Sequence, residues 1–400
     1  MRHQQAIVFG VLGWFILGLA GCTADATKSP SEIPSTPGIA DTKEGIGQRQ
    51  SSDIQERGVP PHMAPGVITP IPVRPIHPAA LPPPPPLPGE FVIRTMVKQT
   101  YLTAVDGGGR TTNAIHTDAT GIGSWEKFRV LSGGSGQYVI QTMKGTYLTA
   151  FNGGGLSGPP VIAGGQATDV LHTDATQIGS WEEFRLGMDS YGWRNTIQTL
   201  NGRYLTAVGG GGKITDPIHT DAMQAAAWEY FNIWKCGNLG SGYQYTISAP
   251  NGFVFAYGGG GRVSTRADVF VFGAIGVLSD YTLRPVPFDN NWQRFRLIQQ
   301  GDGSYALQTS NGINYVTAIQ GGGLASGTMN WDNLVTDRTQ VQAWEKFRFI
   351  DQGDCTYAIQ TVSGNYLGKT NAAPGTSLGV FSTHVSDIKS ATKFRLAMVF

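Results

Sequence analysis

Four aspartates recur at a fixed distance from a tryptophan. The spacing is seven residues in every pair: Asp118 and Trp125, Asp174 and Trp181, Asp221 and Trp228, Asp337 and Trp344. A carboxylate that accepts hydroxyl protons beside an aromatic ring is an arrangement suited to sugars. An Asx turn or a helix N-cap demands an equally fixed spacing, and the pattern favours this structural role. We therefore expect these aspartates to open short helical turns, with sugar binding as the competing hypothesis.

Three histidines stand two residues before three of these aspartates, at His116, His172 and His219. Histidines at three equivalent positions of a repeat could meet at a symmetry axis and bind zinc. Each one precedes a Thr-Asp turn, however, so separated surface positions are expected and no metal site is predicted. The candidate ligand-binding residues are His116, Asp118, Trp125, His172, Asp174, Trp181, His219, Asp221, Trp228 and Asp337.

A glutamate follows the tryptophan in four of the repeats, at Glu126, Glu182, Glu229 and Glu345. A glycosidase needs two carboxylates at opposed positions in distinct environments. Glutamates that recur with the repeat are equivalent to one another, which suits a scaffold or repeated binding better than acid and base roles. The sequence also lacks a nucleophile-elbow motif. It therefore predicts a protein that is not an enzyme and uses no cofactor.

The composition favours short strands and tight turns. Charged residues make up 14% of the 400 residues, and glycine contributes 55 of them, well above its average usage of about 7%. Such a composition is typical of β-structure rather than helices. The formal net charge of +1 gives no basic footprint, so nucleic acid is not expected as a partner.

The N-terminus has the pattern of an export signal. Arg2 precedes the apolar run Ala6–Ala20, which is short for a membrane span and is followed by Gly21 and Cys22. The motif Leu-Ala-Gly-Cys resembles a bacterial lipobox, which implies a lipoprotein signal peptide over 1–21 and lipidation of Cys22; an ordinary cleaved signal is the alternative. Thr23, in place of aspartate, favours the outer membrane. Several acyl chains on one residue give a stable anchor.

Residues 22–89 are predicted to be a disordered, proline-rich linker. Their first part is polar and has no apolar period, and prolines crowd the stretch from Pro60 to Pro88. Proline fixes φ, so this stretch should form an extended stalk, whereas a role as a proline-rich ligand is the alternative. Two further cysteines, Cys236 and Cys355, stand far apart in sequence. An exported chain permits a disulfide, but we expect two buried thiols.

From Phe91 onward one unit recurs six times. Each copy has a first strand with alternating large apolar residues, a second strand after a short turn, and a closing strand that contains phenylalanine. The first strands begin at Phe91, Tyr138, Asn195, Tyr245, Tyr305 and Tyr357. The second strands begin at Tyr101, Tyr147, Tyr204, Phe253, Tyr315 and Tyr366, and five of them lead into a glycine run. Because no helical period follows, these runs are predicted to be sharp turns rather than phosphate loops.

The closing strands place phenylalanine on the buried face and arginine outward. They contain Phe128, Phe184, Phe231, Phe295, Phe347 and Phe394. In five copies a tryptophan stands three residues earlier, whereas the sixth copy has Ala391 there. Since large aromatic residues commonly fill cores, we expect these tryptophans to close the floor of a barrel.

The ordered set Tyr-Leu-Thr-Ala, Gly-Gly-Gly and Trp-Glu-x-Phe-Arg-Leu resembles the fascin-like β-trefoil family. The resemblance implies an all-β fold of two tandem β-trefoils, with three four-stranded units each, over 90–237 and 238–400. A six-bladed propeller is the structural alternative. His-Thr-Asp-Ala is intact in the first three units and decays afterwards, which fits two three-unit domains better than one ring.

The resemblance and the predicted anchor imply a non-catalytic binding protein at the cell surface. Carbohydrate, a polysaccharide or other glycan, is the favoured ligand, because exposed aromatic and polar residues recur in the units. A protein-binding role, such as the cross-linking of actin by fascins, and an envelope spacer without a small ligand are the alternatives. The basic bundling patches of fascins have no clear match in this sequence of low charge.

Overall fold

A computed structural model describes the part of the chain that carries the repeats. The described residues are 86–160, 165, 167–189, 194–250, 252–261, 269–272, 291–325, 333–369 and 378–400. The predicted signal peptide 1–21, Cys22 and nearly all of the predicted linker 22–89 lie outside them. Within the described ranges, no helix has the length and apolar character needed to cross a bilayer.

The described residues form β-strands joined by turns and by single turns of 3₁₀-helix. The first three units contain β1 Glu90–Thr95, β2 Tyr101–Ala104, β3 Ile115–Ala119, β4 Lys127–Gly134, β5 Gln137–Thr142, β6 Tyr147–Ala150, β7 Leu171–Ala175, β8 Glu183–Met188, β9 Asn195–Thr199, β10 Tyr204–Ala207, β11 Ile218–Ala222 and β12 Phe231–Cys236. The last three contain β13 Gln244–Ala249, β14 Gly252–Ala256, β15 Val269–Phe272, β16 Arg294–Gln299, β17 Tyr305–Gln308, β18 Tyr315–Ala318, β19 Leu334–Arg338, β20 Lys346–Asp351, β21 Tyr357–Gln360, β22 Tyr366–Lys369, β23 Leu378–Val385 and β24 Arg395–Met398. The 3₁₀ turns are Val105–Gly107, Phe151–Gly153, Val208–Gly210, Tyr257–Gly259, Ile319–Gly321 and Ile388–Ser390.

The first three units close one barrel of six antiparallel strands. Within the units, β1 pairs with β4, β5 with β8 and β9 with β12. Between the units, β4 pairs with β5, β8 with β9, and β12 returns to β1. The remaining strands form the hairpins β2–β3, β6–β7 and β10–β11. This arrangement of three four-stranded units is a β-trefoil.

The last three units repeat this closure in a second barrel. β13 pairs with β16, β16 with β17, β17 with β20 and β20 with β21. A bridge between Tyr357 and Phe394 and the pairing of β24 with β13 complete the ring. Because each ring closes after three units, the six-bladed propeller is excluded. The predicted fold class, all-β with two tandem β-trefoils, is confirmed.

The phenylalanines of the closing segments fill the two barrels. Their side chains are at most 1% exposed in Phe128, Phe184, Phe231, Phe295, Phe347 and Phe394. The prediction that the tryptophans close the barrel floor is therefore wrong. The phenylalanine three residues later already occupies the interior, and several of the tryptophans remain at the surface.

The threonine of His-Thr-Asp-Ala joins neighbouring hairpins of the first trefoil. Thr173 donates its N–H to the Arg110 carbonyl at 2.9 Å, and its own carbonyl accepts from Gly109 at 3.0 Å. The same two bonds join Thr220 to Leu156 and Gly155, and Thr117 to Lys213 and Gly212. The three contacts form a closed ring between the units. The motif therefore has a structural role, because each threonine forms backbone hydrogen bonds with the end of the glycine run of the preceding unit.

The middle glycine of each run packs against a threonine at the end of a first strand. In the second unit a β-carbon placed on Gly154 would lie 2.5 Å from Thr199 Oγ1, and the φ of Gly154 is +94°. We expect Gly154→Ala to destabilise the protein by about 2 kcal/mol, because it combines this collision with an unfavourable φ. Thermal unfolding checks the loss.

Gly155→Ala is the matched control for that substitution. Gly155 also has a positive φ, +97°, but no atom lies within 4 Å of its β-carbon position. Its replacement should therefore cost only the backbone strain, about 1 kcal/mol. Equal losses in the two variants would contradict the proposed collision with Thr199.

The two trefoils are joined by a disulfide. Cys236, at the end of β12, bonds to Cys355, with 4.4 Å between the Cα atoms. The expectation of two buried thiols is wrong, because β12 pairs with β24 through Trp234 and Ala397 and so reaches the second barrel. At the same junction the Arg395 guanidinium lies 4.3 Å from the ring centroid of Trp234.

Lys235 is buried beside this junction. Its side chain is fully covered, and Nζ donates to the Cys236 carbonyl at 2.7 Å. Burial lowers the pKa of the ammonium group from 10.5 to about 7, and the carboxylates of Glu90 and Asp351 oppose this effect. The cost of desolvating the charge is the larger of the two influences.

The buried lysine should make stability depend on pH. Between pH 7 and 10.5 the unfolded chain holds a proton on Lys235 that the folded chain has released. Stability therefore rises with pH across this window and falls as pH drops towards 7. We expect a gain of at least ~1 kcal/mol between pH 7 and pH 9, or about 2–4 °C in melting temperature. Calorimetry of wild type and Lys235→Met checks it, and an unchanged slope in the variant would contradict the assignment.

Candidate functional site

A backbone hydrogen bond fixes the tryptophan that precedes each closing strand. Its carbonyl accepts a hydrogen bond from the alanine that ends the second strand of the same unit. The donors and acceptors, at 2.9–3.0 Å, are Ala104 and Trp125, Ala150 and Trp181, Ala207 and Trp228, Ala256 and Trp292, Ala318 and Trp344. This bond gives all five residues an equivalent position, whatever their side chains contact.

Three of these indole rings lie open at the surface. The exposed fractions are 45% for Trp125, 46% for Trp228 and 43% for Trp344; we call these residues the tryptophan platforms. They belong to the first, third and fifth units. Trp344 was absent from the sequence-based candidates, although it lies at the same seven-residue spacing from Asp337 as the other tryptophans do from their aspartates.

Trp181 differs because a larger neighbour covers it. It is only 7% exposed, and its ring centroid lies 5.3 Å from that of Phe151. Phe151 directly follows Tyr-Leu-Thr-Ala of the second unit, where the first and third units have Val105 and Val208. The aromatic substitution therefore closes the site in the second unit.

The repeated glutamates are structural. Glu182 accepts from the Thr149 hydroxyl at 2.7 Å and from the Gly179 N–H at 2.8 Å, and its side chain is fully buried. The equivalent threonine–glutamate bonds join Thr103 to Glu126, Thr206 to Glu229 and Thr317 to Glu345. In each unit the second carboxylate oxygen accepts from the backbone N–H three residues earlier. The glutamate thus fixes the turn on which the tryptophan lies.

The aspartates do not open helical turns, so that expectation is wrong. Asp118, Asp174, Asp221 and Asp337 lie within β3, β7, β11 and β19, and the hydrogen bonds to the turn before the closing strand come from the glutamates. In the third unit Ala207 of β10 pairs with Ile218 of β11 and donates to the Trp228 carbonyl. The strand β10 therefore lies between β11, the strand of Asp221, and the backbone of Trp228.

Each histidine hydrogen-bonds within its own hairpin. His116 Nε2 lies 2.7 Å from Asn113 Oδ1, and His219 Nε2 lies 3.0 Å from Asp216 Oδ1. His172 is buried and its Nδ1 faces Asp174, so the expected surface position is wrong for this histidine. Among the residues with described positions, no group of three potential metal ligands is present. The role of the three histidines as ligand-binding residues stays a prediction.

No family model and no curated protein matches this chain. Several solved structures do. A mosquitocidal holotoxin shares 12% identity at a TM-score of 0.30, and the match covers 77% of this chain and 34% of the toxin chain. The designed three-fold symmetric protein ThreeFoil shares 13% identity at a TM-score of 0.31, with 36% of this chain and 97% of that chain covered. The Rhizoctonia solani agglutinin shares 16% at 0.28, with 38% and 96% covered. The fold assignment depends on the strand pairings described above.

Proposed function

We propose that this chain is a non-catalytic carbohydrate-binding protein of the cell surface. In this proposal it is a fascin-like tandem trefoil, anchored to the bacterial outer membrane through lipidated Cys22 and separated from the anchor by the proline-rich linker. The lipobox-like motif and the repeated motif set support these parts. The proposed binding residues are the tryptophan platforms: Trp125 and Trp228 come from the sequence-based candidates, and Trp344 is added because it is exposed.

The observation that carries the proposal is the exposure of Trp125, Trp228 and Trp344 at equivalent positions. Phenylalanines fill the barrels, so these indoles contribute little to the cores. Their backbones are hydrogen-bonded, so the rings are presented from a fixed main chain. A rigid aromatic face that is half open suits the apolar face of a sugar ring, whose hydroxyl groups remain available to polar neighbours.

Retention on insoluble polysaccharides tests the proposal. The full-length protein in mild detergent is incubated with a panel of polysaccharides, and the bound fraction is compared with that of a Trp125→Ala, Trp228→Ala, Trp344→Ala triple variant. We expect the triple variant to bind at least about tenfold more weakly. Each stacking contact stabilises the complex by about 0.5–1.5 kcal/mol, and the variant lacks three of them.

The matched control replaces exposed apolar residues that lie outside the platforms. Met223 and Ile313 are 74% and 61% exposed, and their replacement by alanine should leave retention unchanged. Absence of binding to every polysaccharide, combined with co-sedimentation of the protein with actin filaments, would contradict the proposal and support the cross-linking alternative.

A further inference from the structure

Each tryptophan site is completed by the hairpin turn of the neighbouring unit. A backbone N–H in that turn donates to the carbonyl of the glycine that ends the 3₁₀ turn. The donors and acceptors are Lys144 and Gly107, Asn201 and Gly153, Lys98 and Gly210, Asn311 and Gly259, Ser363 and Gly321, at 3.0–3.4 Å. The side chains that border these glycines therefore come from a different unit from the one that carries the ring: they are Lys144, Asn201, Val97, Ser310 and Val362.

In the first unit this contact places a lysine beside an open indole. A β-carbon placed on Gly107 would lie 3.6 Å from both Lys144 Cγ and Trp125 Cδ1. The missing side chain of Gly107 thus leaves a gap that is bordered by the lysine stem on one side and by the indole on the other. Lys144 is exposed, so its ammonium group can reach a ligand on the ring.

The third unit has a related arrangement with more positive charge. The Val97 side chain fills the position beside Gly210, and the Lys98 stem lies one step further along the glycine run, 3.8 Å from the β-carbon position of Gly212. Lys98 makes the equivalent backbone bond to Gly210, at 3.0 Å, next to the unit of Trp228. A β-carbon on Gly209 would lie 3.5 Å from Lys213 Cε, so a second cation stands on the same loop. In the first unit the equivalent cation, Arg110, is paired with Asp106 at 2.6 Å, whereas the third unit has Gly209 at the position of that aspartate.

The lysines occur only with the open platforms of the first trefoil. In the second, fourth and fifth units the residue that makes this backbone bond is Asn201, Asn311 or Ser363. The side chains that border the glycine next to Trp292 and Trp344 are Ser310 and Val362, which carry no charge. Within the described residues, an open indole and a turn lysine therefore occur together twice: Lys144 borders the same glycine as Trp125, and Lys98 borders the glycine run of the unit that carries Trp228. Both pairs are composite sites between two units.

We propose that these two pairs bind acidic sugars, such as the uronic acid units of a polysaccharide. The apolar face of the sugar packs on the indole, and the carboxylate accepts from the lysine ammonium group. The inference rests on the proposed carbohydrate-binding function and assigns its ligand class. The site that contains Trp228 should be the stronger, because Lys98 and Lys213 both border its glycine run and Gly209 replaces the aspartate that pairs with Arg110 in the first unit.

Polygalacturonate and its methyl ester provide the test, because esterification removes the charge of the carboxylate and adds only a methyl group. Binding of the full-length protein in mild detergent is measured by calorimetry for wild type, Lys98→Gln, Lys144→Gln and the double variant. Lys389→Gln is the matched control: Lys389 is exposed and lies in the sixth unit, which has Ala391 in place of tryptophan. We expect polygalacturonate to bind about tenfold more tightly than the ester at low salt, and each lysine substitution to cost about threefold.

The outcomes separate this inference from the function on which it rests. A preference for the charged polymer that the double variant loses and Lys389→Gln keeps would support the acidic-sugar assignment. Equal binding of both polymers, insensitive to the lysines but abolished in the triple tryptophan variant, would overturn the assignment and leave carbohydrate binding standing. Absence of binding to these polymers and to the polysaccharide panel would overturn both.

Discussion

Phe184→Ala is expected to destabilise the first trefoil by about 3–5 kcal/mol, the usual range for removing a buried aromatic ring. Phe184 is fully buried, and it lies on β8, which pairs with both β5 and β9. The substitution leaves a cavity in a barrel that the other phenylalanines cannot fill without moving their strands. Calorimetric unfolding of the full-length protein should show the loss in the transition of this trefoil.

Trp125→Ala is the comparison for the stability loss of Phe184→Ala. Trp125 is the larger residue, but 45% of its side chain is exposed, so its replacement should change stability by no more than about 0.5–1 kcal/mol. Similar stability losses in the two variants would contradict the conclusion that phenylalanines form the core and that Trp125 lies at the surface.

Glu182→Ala is expected to cost about 3 kcal/mol. The substitution leaves the Thr149 hydroxyl and the Gly179 N–H, which bond to Glu182 at 2.7 and 2.8 Å, without this acceptor in a buried site. Each hydrogen bond to a charged acceptor contributes about 1.5–3 kcal/mol, and a buried unsatisfied donor adds a desolvation cost. Chemical denaturation of the variant measures the loss.

A double-mutant cycle with Thr149→Val isolates the side-chain bond. If Glu182 acts through the threonine, the summed stability losses of the two single variants should exceed the loss in the double variant. The difference, the coupling free energy, should be about 1–2 kcal/mol. Additive losses would show that the turn is fixed by the backbone bond alone. The equivalent pair Thr206–Glu229 offers an independent repetition in the third unit.

The repeated strands could be predicted from sequence because they depend on local alternation. The pattern from Tyr138 to Thr142 identified β5, and the Phe-Arg-Leu pattern at Phe184 identified β8 with its correct buried face. The glycine runs were identified as turns because positive φ favours glycine. Three-unit closure was implied by the resemblance to fascin-like β-trefoils, and the decay of one motif after the third copy favoured it over a six-bladed ring.

The details of the site depended on contacts between units, which the sequence did not reveal. Whether a tryptophan is buried depends on the residue after Tyr-Leu-Thr-Ala, as Phe151 shows for Trp181. Lys144, which borders the same glycine as Trp125, and Lys98, which borders the glycine run of the third unit, come from other hairpins, so no spacing within one unit predicts them. The pairing of Cys236 with Cys355 likewise depends on how β12 meets β24.

Residue-resolved oxidation by hydroxyl radicals tests the central claim most directly. In the free full-length protein, Trp125, Trp228 and Trp344 should oxidise readily and Trp181 slowly, in accordance with their exposure. Saturating polysaccharide should protect at least one of the three exposed indoles by several-fold and leave Met223 as reactive as before. Slow oxidation of these three indoles in the free protein, or unchanged oxidation of all of them under bound polysaccharide, would contradict the assignment of tryptophan platforms as the carbohydrate-binding surface.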